Sequence, residues 1–142
     1  MSQDFVSAVS ESGRLDLEVC RWSEVRRVPT STIDELIAEY GVPAFTKIDV
    51  EGFEEEVLKG CSRRLLTLSF EFTPERLQPA VACVERLEQL GRVEFNYTYH
   101  WRKRLLYPTW VGGSELVQNL ASLCGSANLA PGGDVYARFL IP

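Results

Sequence analysis

Carboxylate side chains lie at the ends of two apolar stretches of the chain. Their type and spacing suit a catalytic or ligand-binding site. Asp49 and Glu51 end the β-favouring run 44–50, and Glu71 lies near the end of the apolar run 65–72. Strands of this type are usually buried on both faces, so a charged strand end needs a reason. In open α/β sheets, ligands bind just beyond the carboxyl ends of the strands. We therefore expect these three side chains to converge over one crevice.

Carboxylates that converge in this way permit three kinds of chemistry. They could hold a divalent cation such as Mg²⁺ through oxygen ligands, or one of them could take a proton from a substrate hydroxyl. They could also bind a positively charged ligand. Two plainer explanations stand beside these. Acids at the start of a helix favour the positive end of its dipole, and Glu71 could simply pair with a nearby cation such as Lys47. The residues alone leave these alternatives open.

Aromatic side chains near the irregular segment 101–113 could form the wall of a pocket for an organic ligand. Trp101 and Trp110 are the best candidates because polar and turn residues flank them, whereas Phe72 and Phe95 are more typical of a core. His100, the single histidine, ends a predicted strand and could accept a proton near the site. The alternative is an exposed histidine without a role.

Composition narrows the class of protein. The chain has 142 residues, which suits a single globular domain. Its net charge is −5. Its longest basic run is 102–104, which argues against nucleic acid as a partner. The four cysteines are far apart, which argues against a zinc site and a disulfide scaffold. No segment reads as a signal peptide or a membrane span. We expect a cytoplasmic protein with no membrane partner.

The elements that must position the carboxylates alternate between helix and strand. Thr32 and Glu35 form a capping-box pattern at the start of a helix that Gly41 ends. The predicted elements that follow are strand 44–50, helix 53–59, strand 65–72, a helix from Pro79 to Gly91, strand 93–99, helix 114–123 and strand 134–140. This order predicts an α/β fold, with a mostly parallel sheet and helices on both faces.

The N-terminal residues have a different pattern. The runs Phe5–Val9 and Leu15–Trp22 are typical of strands, and the turn-rich residues 10–13 separate them. We therefore divide the chain into an N-terminal strand or hairpin segment, 1–24, and an α/β domain, 25–142.

Several motifs together resemble the FkbM family of methyltransferases. They are the helix start in 28–36, the K-I-D-V-E-G strand end in 47–54, the helix end in 57–60, the glutamate-bearing strand 69–72 and the start of the last strand at 133–135. The resemblance implies S-adenosylmethionine-dependent O-methylation of a hydroxyl on a small molecule or sugar. It also implies a Rossmann-like sheet with an antiparallel last strand, of which 25–142 would form the C-terminal half.

The resemblance also implies roles for individual residues. Asp49 and Glu51 match the acids that face the transferred methyl group, with Gly52 beside Asp49 at the cofactor. Glu71 matches the next strand end and would contact substrate. The aromatic pattern described above, rather than the resemblance, adds Trp101 and Trp110 as substrate contacts. Asp49 and Glu71 would hold a cation if one is used.

The glycine-rich loop that holds the cofactor in this family has no counterpart in the sequence. We therefore expect a truncated form. The alternative is a non-catalytic α/β module. In either case, half of a sheet exposes a strand edge, and such edges seek partners. We expect a homo-oligomer, or pairing with a separate half-domain that binds the cofactor.

Overall fold

The computed structural model describes residues 1–12, 26–99, 102, 104–124 and 132–140. These residues form five helices and four strands, in the order α1 (Gln3–Glu11), α2 (Ile33–Tyr40), β1 (Thr46–Ile48), α3 (Glu54–Lys59), β2 (Thr67–Phe72), α4 (Leu77–Leu90), β3 (Val93–Tyr99), α5 (Gly113–Cys124) and β4 (Gly133–Phe139). The predicted alternation of helix and strand from α2 onward is confirmed. None of the described helices is both long and apolar enough to cross a membrane.

The strands form one sheet in the order β1-β2-β4-β3. β1 and β2 are parallel, whereas β4 lies between β2 and β3 and is antiparallel to both. The first three strands therefore run in the same direction, and the last one runs against them. This confirms the predicted α/β fold with a mostly parallel sheet and an antiparallel last strand.

One face of the sheet is apolar and carries the core. Leu68, Phe70 and Phe72 alternate along β2 and are at most 1% exposed. Their partners on β4 and β3 continue the same face across the sheet. Helices α2 to α5 add their buried side chains to this core: Ile33, Ile37, Leu58, Ala80, Cys83, Val84, Leu87, Leu116 and Leu120. Burial on this face therefore holds the strands and the helices in place.

The opposite face is polar. On it lie Ser69 and Glu71, across from Tyr136 and Asp134 of β4. We expected helices on both faces, but among the described residues the irregular segment 104–111 packs against part of this one. Asn96 of β3 donates to the carbonyl of Tyr107 at 3.1 Å. Alternation of polar and apolar residues in the strands leaves this face without the apolar surface that a helix would cover.

The N-terminal segment corrects one prediction, because Phe5–Val9 is part of helix α1 rather than a strand. The hydroxyl of Ser2 caps this helix by accepting the N–H of Phe5 at 3.0 Å. Phe5 and Val9 are four residues apart and both buried, as one face of a helix requires. A short apolar run fits the period of a helix as well as that of a strand. Here the Ser2 cap favours the helix. The predicted strand Leu15–Trp22 lies outside the described residues.

Candidate functional site

The three predicted carboxylates do converge. Asp49, Glu51 and Glu71 each offer an oxygen that lies within 4.8 Å of the other two. The parallel register of β1 and β2 places Ile48 opposite Phe70, so both strands reach the same edge of the sheet together. We call these three residues the acid cluster.

An unusual backbone holds the loop that carries two of these acids. Glu51 has a φ of 53° and Gly52 a φ of 94°. The left-handed region costs a residue other than glycine about 1–2 kcal/mol, and such strain concentrates at functional sites. Glu54, which is 6% exposed, holds the loop through Oε1, which accepts the N–H groups of Val50 at 3.3 Å and Gly52 at 3.1 Å. The carboxylate of Glu54 therefore has a structural role beneath the acid cluster.

Burial and mutual repulsion shift the pKa values of the acid cluster. Burial is the main cause that raises the pKa of Glu71 to about 7, and the charges of Glu51 and Asp49 add to it. The pKa of Glu51 is also raised, first by burial and then by Asp49. Glu71 therefore exchanges a proton near neutral pH, which an ordinary surface glutamate does not.

Lys47 links the acid cluster to the last strand. Its Nζ lies 2.8 Å from Oδ1 of Asp134 and 3.4 Å from Oδ2 of Asp49. The hydrogen bond to Asp134 is the main cause that raises the pKa of Lys47. The sequence indicated Lys47 as a partner of Glu71, and no local pattern in it marked Asp134. In the sheet, Asp134 is the cross-strand partner of Glu71, a proximity that needs the β2–β4 register to be known.

Helix α1 packs onto the loop of the acid cluster, which the sequence did not predict. The N–H of Ser2 donates to the carbonyl of Glu51 at 2.9 Å, and Nη1 of Arg76 donates to Oγ of Ser2 at 3.1 Å. A Cβ on Gly52 would lie 2.7 Å from Cβ of Phe5 and 2.8 Å from Nη1 of Arg76. Protein atoms therefore fill the space beside the Cα of Gly52.

A separate groove of about 600 Å³ crosses the polar face near β3 and β4. We call it the arginine groove, and its lining residues are Thr98, Tyr99, Arg102, Arg104, Leu105, Trp110, Asp134 and Tyr136. Trp110 lies here, with the guanidinium of Arg138 4.4 Å from its ring centroid. The structure thus places Trp110 in the arginine groove and not in the acid cluster. His100 and Trp101 lie outside the described residues.

The donor set of the acid cluster permits two kinds of ligand. Three carboxylate oxygens within 4.8 Å are hard ligands of the type that Mg²⁺ prefers. The same charges would attract an organic cation such as a sulfonium or an ammonium group. Glu71, with its raised pKa, can also take or give a proton.

Comparison with known protein families gives a match that includes this site. The family model of the methyltransferase FkbM domain matches residues 4–107, which is more than half of the chain. The matched range begins in α1 and includes the whole acid cluster. No curated protein sequence matches the chain.

Proposed function

Because the chain belongs to the FkbM methyltransferase domain family, we propose that it is an S-adenosylmethionine-dependent O-methyltransferase. Its acceptor would be a hydroxyl on a small molecule or sugar. One observation carries the proposal: the acid cluster lies at the carboxyl ends of two neighbouring parallel strands, where ligands of open α/β sheets bind.

When bound, S-adenosylmethionine supplies an electrophilic methyl group on a sulfonium. We propose that the carboxylates of Asp49 and Glu51 hold the positively charged parts of this cofactor. Asp49 is suited to this because its side chain is 46% exposed at the edge of the sheet. Gly52 would take part only through its backbone, since α1 fills the space beside its Cα.

Glu71 is the residue we propose as general base. A base works best when its pKa lies near the working pH, and that of Glu71 is about 7. A carboxylate oxygen of Glu71 would take the proton of the acceptor hydroxyl. The hydroxyl oxygen of the acceptor would then be a better nucleophile toward the methyl group. His100 remains a second candidate for this role. Trp101 and Trp110 remain candidates for contact with the body of the substrate.

A divalent cation is a second way to use the acid cluster. Asp49 and Glu71 would hold Mg²⁺, which would supply Lewis-acid activation of a hydroxyl. Against this, the ammonium of Lys47 lies 3.4 Å from Asp49 and already offsets part of the charge. We therefore place proton transfer by Glu71 first and test the cation in the same experiment.

The alternative is a non-catalytic module that pairs through its sheet edge. Among the described strands, β1 pairs with β2 alone, so its other edge has no partner there. Apolar side chains that precede β1 in the chain are exposed, with Tyr40 at 75%, Val42 at 54% and Phe45 at 47%. Such a surface favours self-association, or a separate half-domain that brings a cofactor loop.

Calorimetric titration with S-adenosylmethionine, with and without Mg²⁺, separates these functions. We expect binding in the micromolar range that Asp49→Asn weakens and the exposed α4 variant Glu85→Gln does not. A requirement for Mg²⁺ would move Asp49 and Glu71 to the metal-ligand role. A folded chain that binds no cofactor would refute methyl transfer by this chain alone. A single monomer peak in light scattering would count against pairing.

A further inference from the structure

The arginine groove has an unbalanced positive charge in a chain whose net charge is −5. Some arginines elsewhere in the described residues lie beside acids, as Arg63 does with Asp34, and Arg138 with Glu94. Within the same residues, Arg102 and Arg104 have no carboxylate within 4.0 Å, although both line the arginine groove. Both residues are exposed, so an anion from solution can reach them, although the guanidinium of Arg102 also lies 5.8 Å from the ring centroid of Tyr99.

The acid in the arginine groove does not cancel this charge. Asp134 is the one carboxylate among the described residues of the lining, and Nζ of Lys47 lies 2.8 Å from its Oδ1. Lys47 itself comes from β1, outside the groove lining. Because Lys47 neutralises Asp134, the positive charges of Arg102 and Arg104 in the groove are not cancelled. Guanidinium groups bind carboxylates and phosphates through paired N–H donors, which gives such an anion a fixed orientation.

Aromatic rings give the arginine groove its second property. Tyr99, Trp110 and Tyr136 line it together with Leu105. The guanidinium of Arg138 near the Trp110 ring holds that ring in place from one side. Pockets with aromatic walls and a few charged groups suit planar organic ligands. The arginine groove therefore suits an aromatic body that carries an anionic group.

The arginine groove also opens beside the acid cluster. Asp134 lines the groove and is the cross-strand partner of Glu71 in the β2–β4 register. Side chains of directly opposed residues in an antiparallel pair are about 5 Å apart at Cβ. A ligand in the groove can thus reach toward Glu71 along one strand pair. The acids repel its anionic end, so that end stays at the arginines, and a neutral end such as a hydroxyl can point at the acids.

We propose that the methyl acceptor is a hydroxylated aromatic compound with a carboxylate or phosphate group. Arg102 and Arg104 bind the anionic group, the rings of the arginine groove contact the aromatic body, and the hydroxyl faces Glu71. The position of the hydroxyl rests on the proposed methyl transfer. The binding of the anion does not, because it depends on the arginine groove alone.

Titration calorimetry without cofactor tests the charge requirement. The probes are para-hydroxybenzoate, para-hydroxyphenyl phosphate and the uncharged para-hydroxybenzamide. We expect the preferred anion to bind about tenfold more tightly than the amide. The variant with both Arg102→Gln and Arg104→Gln should lose this preference, whereas Arg92→Gln, an exposed arginine outside the groove, should keep it. The tighter of the two anions identifies the anionic group.

Equal affinity for an anion and the amide would overturn the proposal. So would a preference that survives the double substitution. Failure of the methyltransferase function has a different result: the anion would still bind through the two arginines, but the chain would bind no S-adenosylmethionine. Conversely, the chain could bind the cofactor but bind the charged and uncharged probes equally tightly. That result would refute the proposed class of acceptor and leave the methyltransferase function standing.

Discussion

The two faces of the sheet carry residues that alternate along the same strands, yet they contribute different properties to the protein. On β2, Phe70 is completely buried in the core, and the next residue, Glu71, lies in the acid cluster with a pKa of about 7. The apolar face holds the strands in place by burial. The polar face carries the acid cluster and part of the lining of the arginine groove. Substitutions on the two faces should therefore change different observables.

The largest effect should come from the apolar face. Phe70→Ala removes a fully buried ring that packs with the helices, and such changes cost about 3–5 kcal/mol of unfolding free energy. Urea unfolding followed by circular dichroism measures this cost. On the neighbouring position, Glu71→Gln should leave the protein as stable as the wild type at neutral pH, or more so. Equal losses at both positions would remove the distinction between the faces.

A smaller effect should come from the junction between α1 and the acid cluster. Gly52→Ala imposes a positive φ on alanine and places its Cβ against Phe5 and Arg76, which should cost about 2–3 kcal/mol and release α1. Hydrogen exchange of the α1 amides would report the release.

Gly41→Ala is the matched control for that substitution. Gly41 also has a positive φ, of 88°, but no described atom beyond its chain neighbours lies within 4 Å of the position that a Cβ would occupy there. The control should also cost about 1–3 kcal/mol, because its φ of 88° and ψ of 174° disfavour alanine, but it should leave α1 protected. If both substitutions exposed α1 equally, packing against Gly52 would not be what holds the helix.

The smallest effect is the pH dependence of stability that Glu71 creates. Its folded pKa of about 7 lies above its ordinary value of 4.5, so the folded state binds more protons between these values. The contribution of Glu71 to the free energy of unfolding should therefore be highest below about pH 4.5. It should fall as the pH rises through 7. After allowance for solvent screening, we expect a loss of about 1–2 kcal/mol.

Urea unfolding across this pH range measures the loss. Glu71→Gln should flatten the slope between pH 4.5 and 7, and Glu85→Gln on the exposed surface of α4 should not. An unchanged slope in Glu71→Gln would mean that another group causes it.

Local signals in the sequence explain which parts of the fold could be predicted. The capping box at Thr32 and the glycine at position 41 bound α2 as predicted, because both act within a few residues. Convergence of the acid cluster also followed from the sequence, since parallel neighbouring strands end at one edge. The strand predicted at Phe5–Val9 was wrong because five residues of apolar pattern fit either period. The helix is fixed by its Ser2 cap and by the hydrogen bonds of Ser2 with the distant Glu51 and Arg76.

Long-range contacts explain what the sequence did not reveal. The pair Lys47–Asp134 joins residues 87 apart, and the pair Ser2–Arg76 joins residues 74 apart. No local pattern marks such pairs, because they depend on strand order and register. The arginine groove is partly of this kind: Arg102, Arg104 and Trp110 share the segment between β3 and α5, whereas Asp134 comes from the distant strand β4. The sequence predicted Trp110 as a substrate contact, and Trp110 lines this groove.

The most direct test of the central claim is to follow backbone amide signals of the labelled chain by NMR while S-adenosylmethionine is added. If the acid cluster holds the cofactor, the largest shifts should occur at residues 49–52 and at Glu71. The pKa of Glu71 should also fall, because a positive charge beside it favours the carboxylate. Absence of binding would contradict the account, as would shifts that spare these residues and occur elsewhere in the sheet.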